Sequence, residues 1–413
     1  MTTPNSATAP NTQQHYQIAV VGAGPAGMIA ALAFASQGFE VALIGPPANL
    51  ADERSTALMQ ASIQLLENID VWPELEAEAI PLVNMRLIDG SDRLFRAPEI
   101  TFGAAEVGLP AFGYNILNSR LNELLDGLIN KSSKITRIEG LLHTMQSDDA
   151  AAHLRIKTAS GLTALSCPLV IAADGRRSQV REAVGISTRS WSYPQTALVL
   201  NLAHTGSHAS TSTEFHRKTG PFTLVPMEGD ASSLVYVETP ERAKQLTALP
   251  TEELALELER TCQSVLGKFT VISKLQSFPM SGHSAQKLAS SRALLIGEAA
   301  HGFPPIGAQG LNLSLRDIGA AMELAQSARQ EQQDLGSREI MQVYHKMRWF
   351  DMTSRTVAVD LLNRSLLSSA IPVQLLRSIG LMALSRLPFL RKILMREGIA
   401  PSWRTPPTMS KRR

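Results

Sequence analysis

The segment from Ile18 to Gly45, "IAVVGAGPAGMIAALAFASQGFEVALIG", constrains the fold more than any other stretch of the chain. Its short β-branched opening is the pattern of a strand buried on both faces of a parallel sheet. Gly22, Gly24 and Gly27 follow in GxGxxG spacing, then an Ala-rich helix, then Gly38 and a second strand, "EVALIG". The first glycine permits a tight turn, the second lets backbone approach a pyrophosphate, and the third allows close helix–strand packing. Unpaired N–H groups and the helix dipole favour phosphate at the helix N-terminus. The segment predicts a parallel α/β sheet that binds a dinucleotide. One expected group is absent. The second strand normally ends in Asp or Glu, which accepts a hydrogen bond from a ribose hydroxyl. Here it ends in Gly45, with Pro46 and Pro47 behind it. Either Asp52 or Glu53 reaches back, or backbone and water hold the ribose.

A second strand–glycine–helix run, "RALLIGEAAHGFPPIGAQGLNLSLRD", spans Arg292 to Asp317. One such element suffices for a dinucleotide, so the second needs a reason. The 413 residues allow one large α/β domain with an insertion. A net charge of +2 provides no global field for nucleic acid, and no nucleic-acid partner is expected. Cys167 and Cys262 stand at no metal-ligand spacing, so neither a disulfide scaffold nor a metal site is expected, and a reducing cytoplasm fits. The opening "MTTPNSATAPNTQQHYQ" has no basic start and no apolar core, which argues against a secretory signal and predicts a disordered lead-in over residues 1–15. No window of about 20 uncharged apolar residues occurs, so no spanning helix is predicted.

In the middle of the chain, "ADERSTALMQASIQLLENIDVWPEL" reads as a charged cluster and an amphipathic helix with Leu58, Leu65, Leu66 and Ile69 inward. "GYNILNSRLNELLDGLI" reads likewise, with Leu117, Leu121, Leu124, Leu125 and Leu128 inward. Arg54 is either a solvated surface charge or a cation near the pyrophosphate. An apolar strand from Leu169 ends in Asp174–Gly175, a plain turn or a functional one, and Arg176, Arg177 and Arg181 follow into a helix. From Ser187 to His283 the stretches "TALVLNLA", "STSTEFH", "PFTLVPM" and "SSLVYVET" alternate like antiparallel strands, interrupted by the helix "TEELALELERTCQSVLG". His216 and Arg217 there either face a substrate or are ordinary exposed strand residues.

Three separated patterns then line up in order: "GAGPAG", "ADGRRSQVR" and "LIGEAAHGFPPIGAQGLNLSLRD". Together with "DERSTAL" and "GYNILNSRL" they resemble the ubiquinone-biosynthesis hydroxylase family of FAD-dependent aromatic monooxygenases, which share the p-hydroxybenzoate hydroxylase fold. The resemblance implies an α/β fold: a Rossmann-like FAD-binding domain, an inserted β-sheet-rich substrate domain and C-terminal helices. The implied FAD-binding parts are residues 16–85, 113–186 and 285–335; the substrate parts are 86–112 and 187–284; the helices are 336–413. It also answers the question of two elements, because an extended FAD has its ADP half on one and its flavin half on the other.

By the same resemblance Gly22, Gly24, Gly27, Asp174 and Gly175 bind the cofactor, and Arg54 lies near its phosphates or ribityl chain. Asn118 and its neighbour Arg120 rank below Arg54. Gly297 precedes Glu298, which stands where the family has Asp accepting from the ribityl chain. Gly307, Ala308, Gln309, Gly310, Leu311 and Asn312 bring backbone to the flavin ring, and the helix starting near Leu311 points its positive end at the pyrimidine side. The family tends to have Gly where this chain has Ala308 and Ser314. His301 and Pro304 lie near the ring, although a structural imidazole bonded to backbone fits His301 equally. The implied chemistry is oxygen transfer from a flavin C4a-hydroperoxide to a phenolic ring, with no acid or base that the sequence names.

The tail "LLNRSLLSSAIPVQLLRSIGLMALSRLPFLRKILMREGIA" mixes apolar clusters with Arg364, Arg377, Arg386, Arg391, Lys392 and Arg396. Such helices lie on anionic membrane surfaces or pack on the protein or a partner. The partners implied are a polyprenyl-phenol, oxygen, and NAD(P)H or a ferredoxin-type donor, with a ubiquinone-biosynthesis complex as a further one and a peripheral seat on the inner membrane. Two other readings stand beside this one: an FAD monooxygenase of a soluble small aromatic, and a non-catalytic flavin-fold subunit of a biosynthetic complex.

Overall fold

The computed structural model describes residues 14–90, 98–304, 308–367, 389, 391–393, 395 and 406–410. Strand β1 (Ile18–Val21) leads into helix α1 (Pro25–Ser36) and strand β2 (Val41–Gly45). Helices α2 (Gln60–Asn68) and α3 (Asn118–Lys131) follow, then strands β3 (Ile135–Glu139) and β4 (Leu169–Ala172). The long strands β5 (Thr188–His204), β6 (Ala231–Glu238) and β7 (Gln276–Ala285) come next. Strand β8 (Ala293–Leu295) and helices α4 (Gln309–Gln330) and α5 (Arg338–Leu367) complete the frame.

One sheet has six strands in the order Ala289–Ser290, β8, β4, β1, β2, β3. From β8 to β3 every pairing is parallel, and the short edge strand alone runs antiparallel. All residues of β1, β2 and β4 are buried, which is why these strands read as continuous apolar runs. Pro25 occupies the first turn of α1, where its missing N–H is no loss and its fixed φ suits the helix.

A second, nine-stranded sheet takes strands from two stretches of chain, 84–103 and 188–302. Its pairings are antiparallel except where Thr211–His216 runs parallel to Asn84–Asp89. Helices Pro240–Thr247, which was not expected, and Thr251–Thr261 form a separate core with Leu198, Leu202, Phe222 and Tyr236.

Several local expectations need correction. Leu58 and Leu117 belong to strands, Ser55–Met59 and Gly113–Leu117, which pair antiparallel with Leu58 opposite Tyr114. Helices α2 and α3 begin just after them, at Gln60 and Asn118. Cross-strand pairing buries Leu58 there, and a helical period alone does not reveal such a partner. Gln14–His15, inside the stretch read as a lead-in, form a short strand parallel to Leu165–Ser166, and the His15 ring is hydrogen-bonded to Ser166 Oγ at 2.6 Å. That strand completes a four-stranded sheet with Leu141–Ser147, Ala152–Thr158 and Gly161–Cys167.

Of the C-terminal helices, α5 is described, while Arg377, Arg386 and Arg396 lie outside the described residues. Arg391 pairs with Glu106 at 2.6 Å and lies over the Phe102 ring. Residues Pro407–Met409 dock on α2 and α4, with Asn68 Nδ2 donating to the Thr408 carbonyl. Among the described residues no helix is long and apolar enough to cross a membrane.

Candidate cofactor-binding site

The adjacent parallel strands β8, β4 and β1 end side by side, and each runs into a turn that carries glycine: Gly297, Gly175 and Gly22. In open α/β sheets the crevice outside the carboxyl ends of strands is where ligands bind. The turns are stitched together by backbone. Ala173 N donates to the Val21 carbonyl at 2.7 Å, and Ile296 N donates to the Ala172 carbonyl at 3.0 Å. Gly22 has φ +113°, and a Cβ there would lie 2.2 Å from the Ala173 carbonyl oxygen. At Gly27 a Cβ would lie 1.7 Å from the Gly22 carbonyl oxygen, so α1 can approach the turn only with glycine at that position. Gly24, by contrast, faces open space, and no side chain caps α1.

Asp174 follows β4. Its Oδ2 accepts from Val180 N at 3.1 Å, while its buried Oδ1 has no hydrogen-bond partner among the described residues. Burial pushes this carboxyl up, against the hydrogen bonds from Ser178 and Val180 that hold it down. Gly175 has φ +78° and opens onto free space. Two arginines from the same motif lock this turn to the next one. Arg181 donates to the Ala299 carbonyl at 2.9 Å and to the Arg176 carbonyl at 2.8 Å. Arg176 donates to Ser281 Oγ at 2.5 Å and stands 3.6 Å from Glu298 Oε1.

Glu298 lies in the turn Gly297–Ala299 with its side chain 60% exposed, and its carbonyl accepts from His283 Nε2 at 2.8 Å. The turn is anchored from below by Asp317 of α4. Asp317 Oδ2 accepts from Gly297 N at 3.0 Å and from His301 Nε2 at 2.8 Å. The His301 imidazole is thus bonded to a carboxylate, and it stacks on Phe303 with centroids 5.2 Å apart. Arg348 Nε donates to Asp317 Oδ1 at 2.8 Å, and Asp351 accepts from Arg348, Arg316 and Arg355. Burial pushes Asp317 up, but the charge of Arg348 and the His301 hydrogen bond outweigh it and hold the carboxyl below its ordinary value.

Pro304 is buried, and Gly307 lies outside the described residues. Ala308 takes the left-handed conformation, φ 52° and ψ 34°, immediately before α4. Gln309 Oε1 accepts from Arg355 at 2.9 Å, Gly310 faces open space and Leu311 is half-buried. The side chain of Asn312 is taken up by the protein itself. Its Oδ1 accepts from Met59 N and Ser62 Oγ, and its Nδ2 donates to the Ala57 and Ala308 carbonyls. Four protein partners saturate the amide, so this side chain clamps α4 to the strand Ser55–Met59 and to α2.

Arg54 and Asn118 are brought together by Asp52. Arg54 donates to both Asp52 oxygens, at 2.8 and 2.6 Å, and Asn118 Nδ2 donates to Oδ2 at 3.1 Å. The guanidinium is half-exposed, lies 5.7 Å from the Phe278 ring centroid, and is raised in pKa by its hydrogen bond to Asp52. Arg120 instead forks between Glu78 and Glu123 on the surface. His216 pairs with Glu214, and Arg217 lies over Tyr236 beside Glu238. Of the two acids considered for the ribose, Asp52 is held by Arg54 and Asn118, and Glu53 Oε2 accepts from Lys274 N at 3.2 Å. Sequence reasoning does not assign roles to His283 and Arg348. The bonds that tie them to the site, to the Glu298 carbonyl and to Asp317, join residues 15 and 31 positions apart, beyond any local spacing signal.

An unpartnered buried acceptor at Asp174, open ground beside Gly24, Gly175 and Gly310, and an exposed carboxylate at Glu298 fit an extended, hydroxyl-rich dinucleotide. The fold and site define a flavin-dinucleotide enzyme of the aromatic-hydroxylase architecture. The chain belongs to the FAD binding domain family, whose profile matches residues 15–349. It is 33% identical to the ubiquinone hydroxylase UbiL of Rhodospirillum rubrum, over 96% of this chain and 93% of that one. It is 28% identical to the 3-demethoxyubiquinol 3-hydroxylase of Escherichia coli, over 92% of this chain and 97% of that one. The crystal structure of p-nitrophenol 4-monooxygenase PnpA from Pseudomonas putida has the same fold, with a TM-score of 0.77 at 17% identity over 97% of this chain and all of that one.

Proposed function

We propose that this FAD-dependent monooxygenase hydroxylates the aromatic ring of a polyprenylated ubiquinone precursor, using oxygen and electrons from NAD(P)H or a ferredoxin-type donor. The observation that carries the substrate class is the end-to-end likeness to proteins named for ubiquinone hydroxylation. Bound FAD supplies the electron storage and oxygen activation, which no side chain can provide.

The chain's own residues bind and orient. Gly22, Gly24, Gly27 and the uncapped N-terminus of α1 take the pyrophosphate, where free N–H groups meet negative charge. Asp174 Oδ1 and the Glu298 carboxylate accept from cofactor hydroxyls, and Gly175 leaves room for them. Arg54, positioned by Asp52 and flanked by Asn118, adds positive charge near the phosphates or ribityl chain. Gly297 holds the turn, while Ala308, Gln309, Gly310 and Leu311 present backbone and the positive end of α4 to the ring; Gly307 is assigned to the same group on the sequence resemblance alone. Asn312 serves the same end indirectly, by fixing the start of α4. His301, tied to Asp317, and Pro304 wall the ring side and exclude water.

A lipid-tailed substrate also gives a purpose to a peripheral seat on the cytoplasmic face of a membrane, or to a place in a ubiquinone-biosynthesis complex. The basic, apolar sequence of residues 361–400 supports that seat. The direct test is incorporation of labelled oxygen by purified protein given a reductant and a prenylated phenol. One labelled ring hydroxyl per turnover is expected; product without label refutes the reading.

A further inference from the structure

The absence of an acid at the end of β2 has a structural explanation. A Cβ at Gly45 would lie 2.6 Å from both the nitrogen and the Cβ of Ala23, so no acidic residue fits at that strand end. Asp52 and Glu53 are committed to partners elsewhere. Next to β2 lies β3, parallel and in register, with Gly45 opposite Glu139. Paired residues on adjacent parallel strands point to the same face, and neighbouring strands lie about 4.8 Å apart. Glu139 therefore projects at the carboxyl edge of the sheet, on the face where the side chain of residue 45 would have been.

Two contacts hold this edge in place. Gly140 N donates to the Gly45 carbonyl at 3.2 Å, and Arg137, two residues before Glu139 on the same face, donates to the Pro46 carbonyl at 3.2 Å. Arg137 itself is braced by Asp126 of α3. Glu139 is exposed and makes no hydrogen bond or ion pair among the described residues. A carboxylate without a partner among the described residues, one strand over from the usual position, is what a ribose diol can use.

We propose that Glu139 replaces the carboxylate absent at position 45 and accepts a hydrogen bond from the adenosine ribose of FAD. This rests on the cofactor site described above. The test is displacement of FAD fluorescence changes in full-length protein by ADP, 2′-deoxy-ADP and 3′-deoxy-ADP. Wild type should prefer ADP over at least one deoxy analogue by about tenfold or more, the worth of a hydrogen bond to a charged group. Glu139→Ala should lose that preference and weaken FAD by a similar factor, while Glu53→Ala keeps both. Glu139→Gln, which keeps the side-chain shape, should show a partial loss. Discrimination unchanged in both Glu139 variants, or absent in wild type, overturns the proposal while leaving FAD binding intact. Wild type that binds neither FAD nor ADP overturns the cofactor site itself.

Discussion

Arg348 Nε donates to Asp317 Oδ1 at 2.8 Å, with both side chains 2% exposed. The other oxygen of Asp317 holds Gly297 N and His301, so the long helix α5 is bonded through one carboxylate to the turn that carries Glu298. The Gly297–Ala299 turn and helix α5 are thus one mechanical unit.

Removing one partner of a buried ion pair leaves the other charge uncompensated, at a cost of about 3–5 kcal/mol. Arg348→Met should lower stability by that amount in denaturant titrations and loosen flavin in parallel. A change below about 1 kcal/mol would show that the pair is a bystander.

Acid should attack the same cluster. Burial pushes Asp351 up, but Arg348, Arg316 and Arg355 hold its carboxyl at about 2, below its ordinary 3.8. Its folded pKa is depressed, so its stabilisation is fully present above pH 3.8 and is lost as pH falls toward about 2. Chemical denaturation across that window should give a falling midpoint in wild type and a flatter line in Asp351→Asn, which starts from lower stability. Parallel lines would contradict the assignment.

Glycine and alanine at two turns give opposite expectations. Gly22→Ala sets a Cβ 2.2 Å from the Ala173 oxygen at φ +113°, so it should abolish flavin retention and lower the melting temperature. Ala308→Gly relieves a left-handed alanine at φ 52° and should stabilise the protein by about 1 kcal/mol. A destabilised Ala308→Gly would mean that the loop gains more from alanine's restricted backbone than it loses to strain.

Glu298 is 60% exposed and 3.6 Å from its nearest cation, so Glu298→Gln should melt like wild type. Flavin bound per chain after gel filtration should nevertheless fall, because a charged acceptor is lost. Full retention would remove Glu298 from the cofactor's partners.

What the sequence discloses follows from how local the physics is. Gly22, Gly24 and Gly27 declare a turn because strand, glycines and helix are contiguous. Asp174–Gly175 is legible as a strand-ending turn, but its tie to Ala299 through Arg181 depends on a residue 118 positions away. Asn312 sits at the right place in the chain, yet the direction of its amide is set by Met59, Ser62 and Ala57, about 250 residues earlier. Glu139 was invisible because its relation to Gly45 is a sheet register, and register is a tertiary fact.

A mass-spectrometric profile of isoprenoid quinone intermediates in a strain lacking this gene tests the central claim most directly. The account predicts accumulation of a prenylated precursor short of one ring hydroxyl, whose structure also names the carbon. A normal quinone profile, in a strain with no second hydroxylase of this kind, would contradict it.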